Sequence, residues 1–318
     1  MTYLLLILGF IFLIKGADLL VDGASSLAKR VGISDLIIGL TVVSFGTSAP
    51  ELVVNLIAAL DGSGDIAVGS IVGSNISNIL LILGVSAMIH PLKVKSQTTW
   101  KEIPLNLLAA VVLFLVANDV LIDGAGTSAL TRSDGLILVS FFAIFLYYTF
   151  DLARKEKNDA DKAPKRPVWL SLVMLVVGIA GLTFGGQWVV SSAETIAESF
   201  GLSEAFIGLT IVALGTSLPE LATSAVAAYR RNTDIAIGNV VGSNIFNIFW
   251  VLGISSAIRP IDFSPELNTD ILIFIGATLL LFIFSFTGGH HKVTRKEGVQ
   301  FLIAYAVYFV FLILRAQS

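Results

Sequence analysis

The sequence predicts an all-α integral membrane protein, with about ten transmembrane helices in two inverted five-helix repeats that break at a shared polar site. Composition is the first ground for this. Of 318 residues, 55% are hydrophobic and only 14% charged, and mean hydropathy is +0.88. A soluble domain carries about 25% charged residues to solvate its surface, so most of this surface must face an apolar medium. The second ground is the recurrence of apolar stretches near the ~20 residues that cross a bilayer. The third is an internal repeat that places its polar residues, not its apolar ones, in register.

The apolar stretches begin near Tyr3, Ser34, Asp65, Ile103 and Ser133, then near Val168, Ser203, Asp234, Thr269 and Val299. A polar run from Arg154 to Arg166, ended by Pro167, separates five from five. It divides the chain into a first repeat (1–153), a short cytoplasmic linker (154–167) and a second repeat (168–318). That linker is too short to hold a folded domain. The apolar N-terminus lacks the basic segment of a cleaved signal peptide and reads as a retained span.

Alternate loops differ in charge. Lys29 and Arg30, then His90, Lys93, Lys95 and Lys101, the central run, Arg230 and Arg231, and Lys292, Arg295 and Lys296 form one set. The other set holds Asp61, Asp119, Asp123, Glu194, Glu198, Glu204, Asp262 and Glu266, with Arg132 and Arg259 as exceptions. Basic loops face the cytoplasm, which puts both termini outside and makes the halves cross in opposite directions. A multi-pass protein of the cell membrane is expected.

Other classes are excluded. A net charge of −3 without a basic tract gives no footprint for nucleic acid. The absence of cysteine removes disulfides, thiolate metal sites and cysteine nucleophiles. The three histidines, His90, His290 and His291, lie beside basic residues in loops and do not form a zinc site.

The repeat carries the chemistry. Gly39 to Glu51 (GLTVVSFGTSAPE) matches Gly208 to Glu220 (GLTIVALGTSLPE), and Gly69 to Asn78 (GSIVGSNISN) matches Gly238 to Asn247 (GNVVGSNIFN). The offset is constant, since 220 − 51 and 247 − 78 both give 169. Outer helices echo it at Gly16/Gly185, Val21/Val190, Ala24/Ala193 and Gly32/Gly201. Matched interrupted helices in an inverted repeat point to a transporter with its site between the halves. Duplication kept for packing would instead spread its echoes over apolar faces.

Pro50 has no N–H, and its ring clashes with the carbonyl four residues before it. The helix should break there and free carbonyls near Ser44 to Thr47; Pro219 should do the same near Ala213 to Thr216. At bilayer depth such groups need protein, water or an ion. Each break is followed by a carboxylate, Glu51 or Glu220, with no Lys or Arg in the same spans. A charge there costs from about 2.5 to over 10 kcal/mol and marks an ion path by default. The missing counter-charge is a bound cation.

Companion helices add ligands. Thr47 and Glu51, Thr216 and Glu220, Ser74 and Asn78, and Ser243 and Asn247 each lie four apart, on one helical face. Gly69, Gly73, Gly238 and Gly242 permit close helix approach. Carboxylate, hydroxyl, amide and backbone oxygens without nitrogen or sulfur ligands suit hard cations, and Ca2+ takes six to eight oxygens. Two carboxylates neutralise one Ca2+ or two Na+, so overlapping sites would exchange them, and a third Na+ would make exchange electrogenic. Thr47, Ser48, Thr216 and Ser217 can alternatively back-bond to their own helices, and Asn78 and Asn247 can serve as interhelical glue. Asn75 and Asn244 brace the broken helices as readily as they bind ions. Asp18 reads as a local pair with Lys15 or a vestibule residue, and Asp65 and Asp234 read as N-caps.

At these residues the chain resembles the cation/Ca2+ exchanger superfamily and, within it, the sodium/calcium exchangers of prokaryotic type. The paired Gly-Thr-Ser-x-Pro-Glu and Gly-Ser-Asn motifs carry the resemblance, with Gly39 to Ile79 and Gly208 to Ile248 matching the family's α-repeats. It implies Glu51 and Glu220 as central acidic ligands. It also assigns Thr47, Ser48, Ser74, Asn78, Thr216, Ser217 and Ser243 to the ion sites, with carbonyls near Ser44 and Ala213 at flanking Na+ sites. Asn247 stands where potassium-dependent relatives carry Asp, which argues against K+ cotransport and removes a titratable carboxylate. The short linker leaves no room for Ca2+-sensing regulatory domains.

The expected function is antiport of Na+ and Ca2+ by alternating access, with these ions as substrates, no cofactor, the bilayer as partner and no enzymatic activity. Nothing in the sequence marks an oligomer face. A Ca2+/H+ antiporter on the same scaffold is the alternative, although proton-coupled relatives place Glu and His around the motif and no histidine lies in these spans. A passive channel ranks next. An intramembrane enzyme ranks last, because Ser and Thr without a base are inert.

Overall fold

Pro167 and the two Pro-Glu breaks divide a chain that otherwise winds into long helices. The computed structural model describes residues 2–155, 166–200, 213–287 and 291–315. The span expected to begin near Ser203, and the motif residues 208–212, lie outside the described residues, as does most of the linker. Helix α1 covers Thr2–Val31, followed by a bent pair, α2 (Asp35–Thr47) and α3 (Ala49–Asp61). Next come α4 (Gly64–Ile89), α5 (Thr98–Val116), the short α6 (Asp119–Asp123) and α7 (Arg132–Lys155). The second half has α8 (Val168–Ser199), a turn of helix α9 (Ala213–Gly215), α10 (Leu218–Tyr229), α11 (Thr233–Ile258), α12 (Leu267–Thr287) and α13 (Arg295–Arg315). Among the described residues, eight helices are long and apolar enough to cross a membrane, or nine with the bent pair taken as one span.

Burial sorts these helices. Within its most apolar stretch, α11 is 94% buried and α4 72%, against 22% for α13 and 28% for α7. Helices α4 and α11 therefore form the centre, and the outer helices leave large apolar side chains such as Tyr147, Val176 and Val307 exposed. Such a surface is what a bilayer solvates.

Helices α1 and α8 pack along their length because glycines remove the side chains between them. A Cβ on Gly9 would meet the Gly185 carbonyl at 2.9 Å, and one on Gly16 the Gly178 carbonyl at 2.9 Å. Gly238 and Gly242 of α11 press in the same way on Leu36 and Leu40 of α2, with would-be contacts at 2.8 Å. The close approach expected of Gly69 does not recur among the described residues, where its nearest contact is the flexible Leu267 side chain at 3.5 Å.

The all-α expectation needs amendment at the loops, where two pairs of two-residue strands form. Strands β1 (Leu92–Lys93) and β4 (Lys292–Val293) pair antiparallel at one end, and β2 (Ala129–Leu130) and β3 (Ile261–Asp262) at the other. At the β1–β4 end, Lys95 pairs with Asp234 at 2.8 Å, Arg166 with Asp22 at 3.2 Å, and Arg230 with Asp18 at 2.7 Å and with Asp22. At the β2–β3 end, Asn118 and Asn268 exchange amide hydrogen bonds at 2.7 Å, and Arg259 donates to the Leu60 carbonyl. The basic loops thus gather at one end of the bundle, as the charge alternation predicts.

Two readings of acidic residues are corrected here. Asp18 pairs with Arg230 rather than Lys15, because its helical face meets α10 rather than its own preceding turn. Asp65 and Asp234 do not cap their helices: Ser63 and Asn232 occupy those positions, Asn232 accepting the Ile235 N–H at 3.2 Å. The aspartates sit in the first turn, where negative charge still suits the helix dipole.

Candidate functional site

Pro50 and Pro219 set the geometry of the site. Pro50 lies near the start of α3, where a residue without an N–H is tolerated, and Ser48 breaks the helix between α2 and α3 with a bend of 48°. The Ser44 carbonyl, expected to be freed, instead accepts the Ser48 N–H at 2.9 Å and the Thr47 hydroxyl at 3.3 Å. The reason is positional: proline removes its own donor, so the carbonyl deprived of a partner four residues back is Gly46 rather than Ser44. In the second half Ser217 donates its N–H to Leu214, three residues back, at 3.2 Å, a tighter turn before α10. Of Ala213, only the backbone at the start of α9 is described; Thr216 is half-buried in the turn that follows.

The breaks carry Glu51 and Glu220 into the interior, 4% and 0% exposed. Neither forms an ion pair among the described residues. Glu220 accepts the Ser48 hydroxyl at 3.1 Å across the two halves. Ser74 and Ser217 hydroxyls meet at 3.2 Å, and Thr47 and Ser243 at 3.5 Å, so each broken helix touches the companion helix of the other half. Ser44 turns its hydroxyl back to Leu40 at 2.8 Å.

Four asparagines fix the centre. Asn75 donates to the Asn244 carbonyl at 3.2 Å and Asn244 to the Asn75 carbonyl at 3.3 Å. Asn78 donates to the Asn244 side-chain oxygen at 2.9 Å, and Asn247 to that of Asn75 at 3.0 Å. Asn75 and Asn244 thus brace α4 against α11 rather than the broken helices. Every side-chain nitrogen of the four is committed, while the oxygens of Asn78 and Asn247 are not.

Among the described residues, Glu51 Oε1 and Oε2, Glu220 Oε2, Asn78 Oδ1 and Asn247 Oδ1 are buried without a hydrogen-bond donor. A buried acceptor without a partner costs about 1–3 kcal/mol, more when charged. Such a concentration of vacant oxygens fits a hard cation bound as cargo.

Two residues escaped the sequence reading. Asn239 accepts the Thr47 hydroxyl at 3.1 Å and donates to Ser224 at 3.0 Å and to the Glu220 carbonyl at 3.4 Å. It lies four before Ser243, as Ser70 lies four before Ser74, so the repeat held the signal. Asn55, four after Glu51, donates to the Ala67 carbonyl at 2.5 Å and ties α3 to α4.

Long apolar helices wrapped around paired buried acids define a multi-pass membrane transporter. The family model described as sodium/calcium exchanger protein matches residues 1–150 and 170–314, and the chain belongs to that family. It is 40% identical over 313 residues to the "Putative antiporter CaxA" of Alkalimonas amylolytica, covering 95% of both chains. It is 32% identical to the "Sodium/calcium exchanger MaX1" of Methanosarcina acetivorans, covering 98% of both. The sodium-calcium exchanger NCX_Mj has a similar solved structure, with a TM-score of 0.84 and 32% identity over 97% of this chain and 98% of that one. Family and structural neighbours are membrane exchangers, not enzymes.

Proposed function

We propose that this protein is a secondary active antiporter that exchanges Na+ for Ca2+ across the cell membrane by alternating access. The observation that carries the reading is the set of vacant oxygens on Glu51, Glu220, Asn78 and Asn247, contributed by both halves and lacking any basic partner among the described residues. Thr47, Ser48, Ser74, Thr216, Ser217 and Ser243, with backbone oxygens near Ser44 and Ala213, complete the ion sites in this proposal. For Ser44 the carbonyl's second lone pair is the one available. Two carboxylates balance one Ca2+ or two Na+, and a third Na+ makes exchange electrogenic. Asn247 in place of a carboxylate supports independence from K+.

The proposed architecture is ten spans in two inverted halves, 1–153 and 168–318, joined by a cytoplasmic linker at 154–167. The reciprocal Asn75–Asn244 bonds, between residues 169 apart, support it. Gathering of the basic loops at one end supports termini on the outside.

The deciding measurement is Ca2+ flux into proteoliposomes driven by a Na+ gradient, with K+ and pH varied. Flux that follows the Na+ gradient, responds to voltage and ignores K+ is expected. Ca2+ movement driven by a pH gradient without Na+ would replace the proposal with Ca2+/H+ antiport, and currents persisting without any counter-ion would replace it with a channel.

A further inference from the structure

The described buried carboxylates outside the central site differ in how their charge is met. Asp270 pairs with Arg315 at 2.8 Å and accepts the Tyr308 hydroxyl at 3.0 Å. Glu297 accepts bonds from Thr294 and Thr287 at the start of its own helix. Glu102, fully buried near the start of α5, has no basic partner among the described residues and only one oxygen engaged. Its Oε1 accepts the Tyr148 hydroxyl and the Gln97 amide, at 3.4 Å for the latter, while Oε2 has no partner among the described residues.

Its neighbours along the helix share the deficit. Thr98, Glu102 and Asn106 follow one another at intervals of four and lie on one buried face. The Thr98 hydroxyl and both amide atoms of Asn106 are also buried without partners among the described residues. Thr98–Glu102 winds as a π-helix, a wider turn often found at functional sites. The other described π-helical segments, Gly39–Val43, Asn78–Ile82 and Asn247–Leu252, all adjoin the paired-acid site.

The second half does without these polar residues. The repeat offset continues through Pro91/Pro260 to the helix starts at Thr98 and Leu267. At the positions matching Thr98, Glu102 and Asn106, the second half has Leu267, Ile271 and Ile275, which pack in its core. One scaffold thus accepts an apolar stripe in one half and a charged one in the other, and a buried ionic group replaceable by hydrocarbon adds little stability of its own.

We propose that Thr98, Glu102 and Asn106, with the Tyr148 hydroxyl beside them, form a second cation site that takes one monovalent hard cation of the Na+ class. The ligand atoms are all oxygens, which selects a hard cation. A single carboxylate balances one positive charge, so a divalent ion would leave excess charge in a buried setting. Lys101 does not occupy the site: its ammonium lies over the Tyr148 ring, 5.7 Å from the centroid, and forms no ion pair with Glu102.

The site is tested by equilibrium binding of radiolabelled Na+ to the purified full chain carrying Glu51→Gln and Glu220→Gln, which removes both central carboxylates whatever ion they couple. Binding of one labelled Na+ per chain, displaced by unlabelled Na+ but not by choline, is expected. Adding Glu102→Gln, or the triple change Thr98→Leu, Glu102→Ile and Asn106→Ile taken from the second half, should abolish it while gel-filtration profile and helicity stay unchanged. Undiminished binding in a folded variant of either kind, or no Na+ binding before Glu102 is altered, overturns the proposal. The triple variant keeps the test open should glutamine at 102 prevent folding.

Discussion

Glu220 and Glu51 occupy matching positions in the repeat, yet their surroundings differ. Glu220 accepts a hydroxyl from Ser48 of the opposite half, and its backbone carbonyl is held by Asn239, which also receives Thr47. Glu51 has neither oxygen engaged among the described residues. Part of the difference lies at one position: Asn239 reaches three partners, whereas its counterpart Ser70 turns back to the Ala67 carbonyl at 3.2 Å. A repeat in sequence therefore does not make a symmetric site. One acid is held by the protein's own donors, and the other has both oxygens free of them among the described residues.

The largest effect expected from this comparison is at the acids themselves. Glu51→Gln and Glu220→Gln should each lower Ca2+ transport by about 100-fold or more, equivalent to about 2.7 kcal/mol, in protein that still inserts and purifies as a single species. Near-normal flux in either variant would remove the acids from the ion site. The brace comes next. Asn75→Ala or Asn244→Ala leaves buried amide groups unpaired and should destabilise the fold by about 1–3 kcal/mol. Because the two share one network, the double variant should cost less than the sum; additive shifts in thermal unfolding would show that they do not act together.

Ser48 and Ser217 sharpen the asymmetry. Ser48 donates to a carboxylate, Ser217 meets another hydroxyl, and bonds to charged groups are worth about 1.5–3 kcal/mol against about 1 for neutral ones. Ser48→Ala should therefore weaken Ca2+ transport about 10-fold, and Ser217→Ala should weaken it less. Equal losses in side-by-side flux assays would mean that the ion, not the protein, equalises the two sites. The smallest effect is expected from Asn239→Ser, which makes the second half resemble the first. It should raise the Ca2+ concentration for half-maximal flux by about 3-fold, with little change in maximal rate. A lower half-maximal concentration would show that Asn239 restrains Glu220 rather than helping it.

The sequence by itself determined the apolar class, the positions of most described spans to within several residues, the broken helices and the two central acids. These are legible because a bilayer imposes length and polarity on every span, and because an unpaired carboxylate in hydrocarbon has few explanations. Tertiary structure alone decided what each polar group meets. Asp18 found Arg230, Asn75 found Asn244 and Asp234 found Lys95, partners 212, 169 and 139 positions away, and no local pattern encodes such distances. Glu102 shows the same limit from the other side: beside Lys101 it reads as part of a polar loop, and only the packing of α5 against its neighbours turns it inward. Periodicity records which face of a helix is apolar, but which donor reaches a buried acceptor depends on helix crossings fixed by glycines and prolines far apart in the chain.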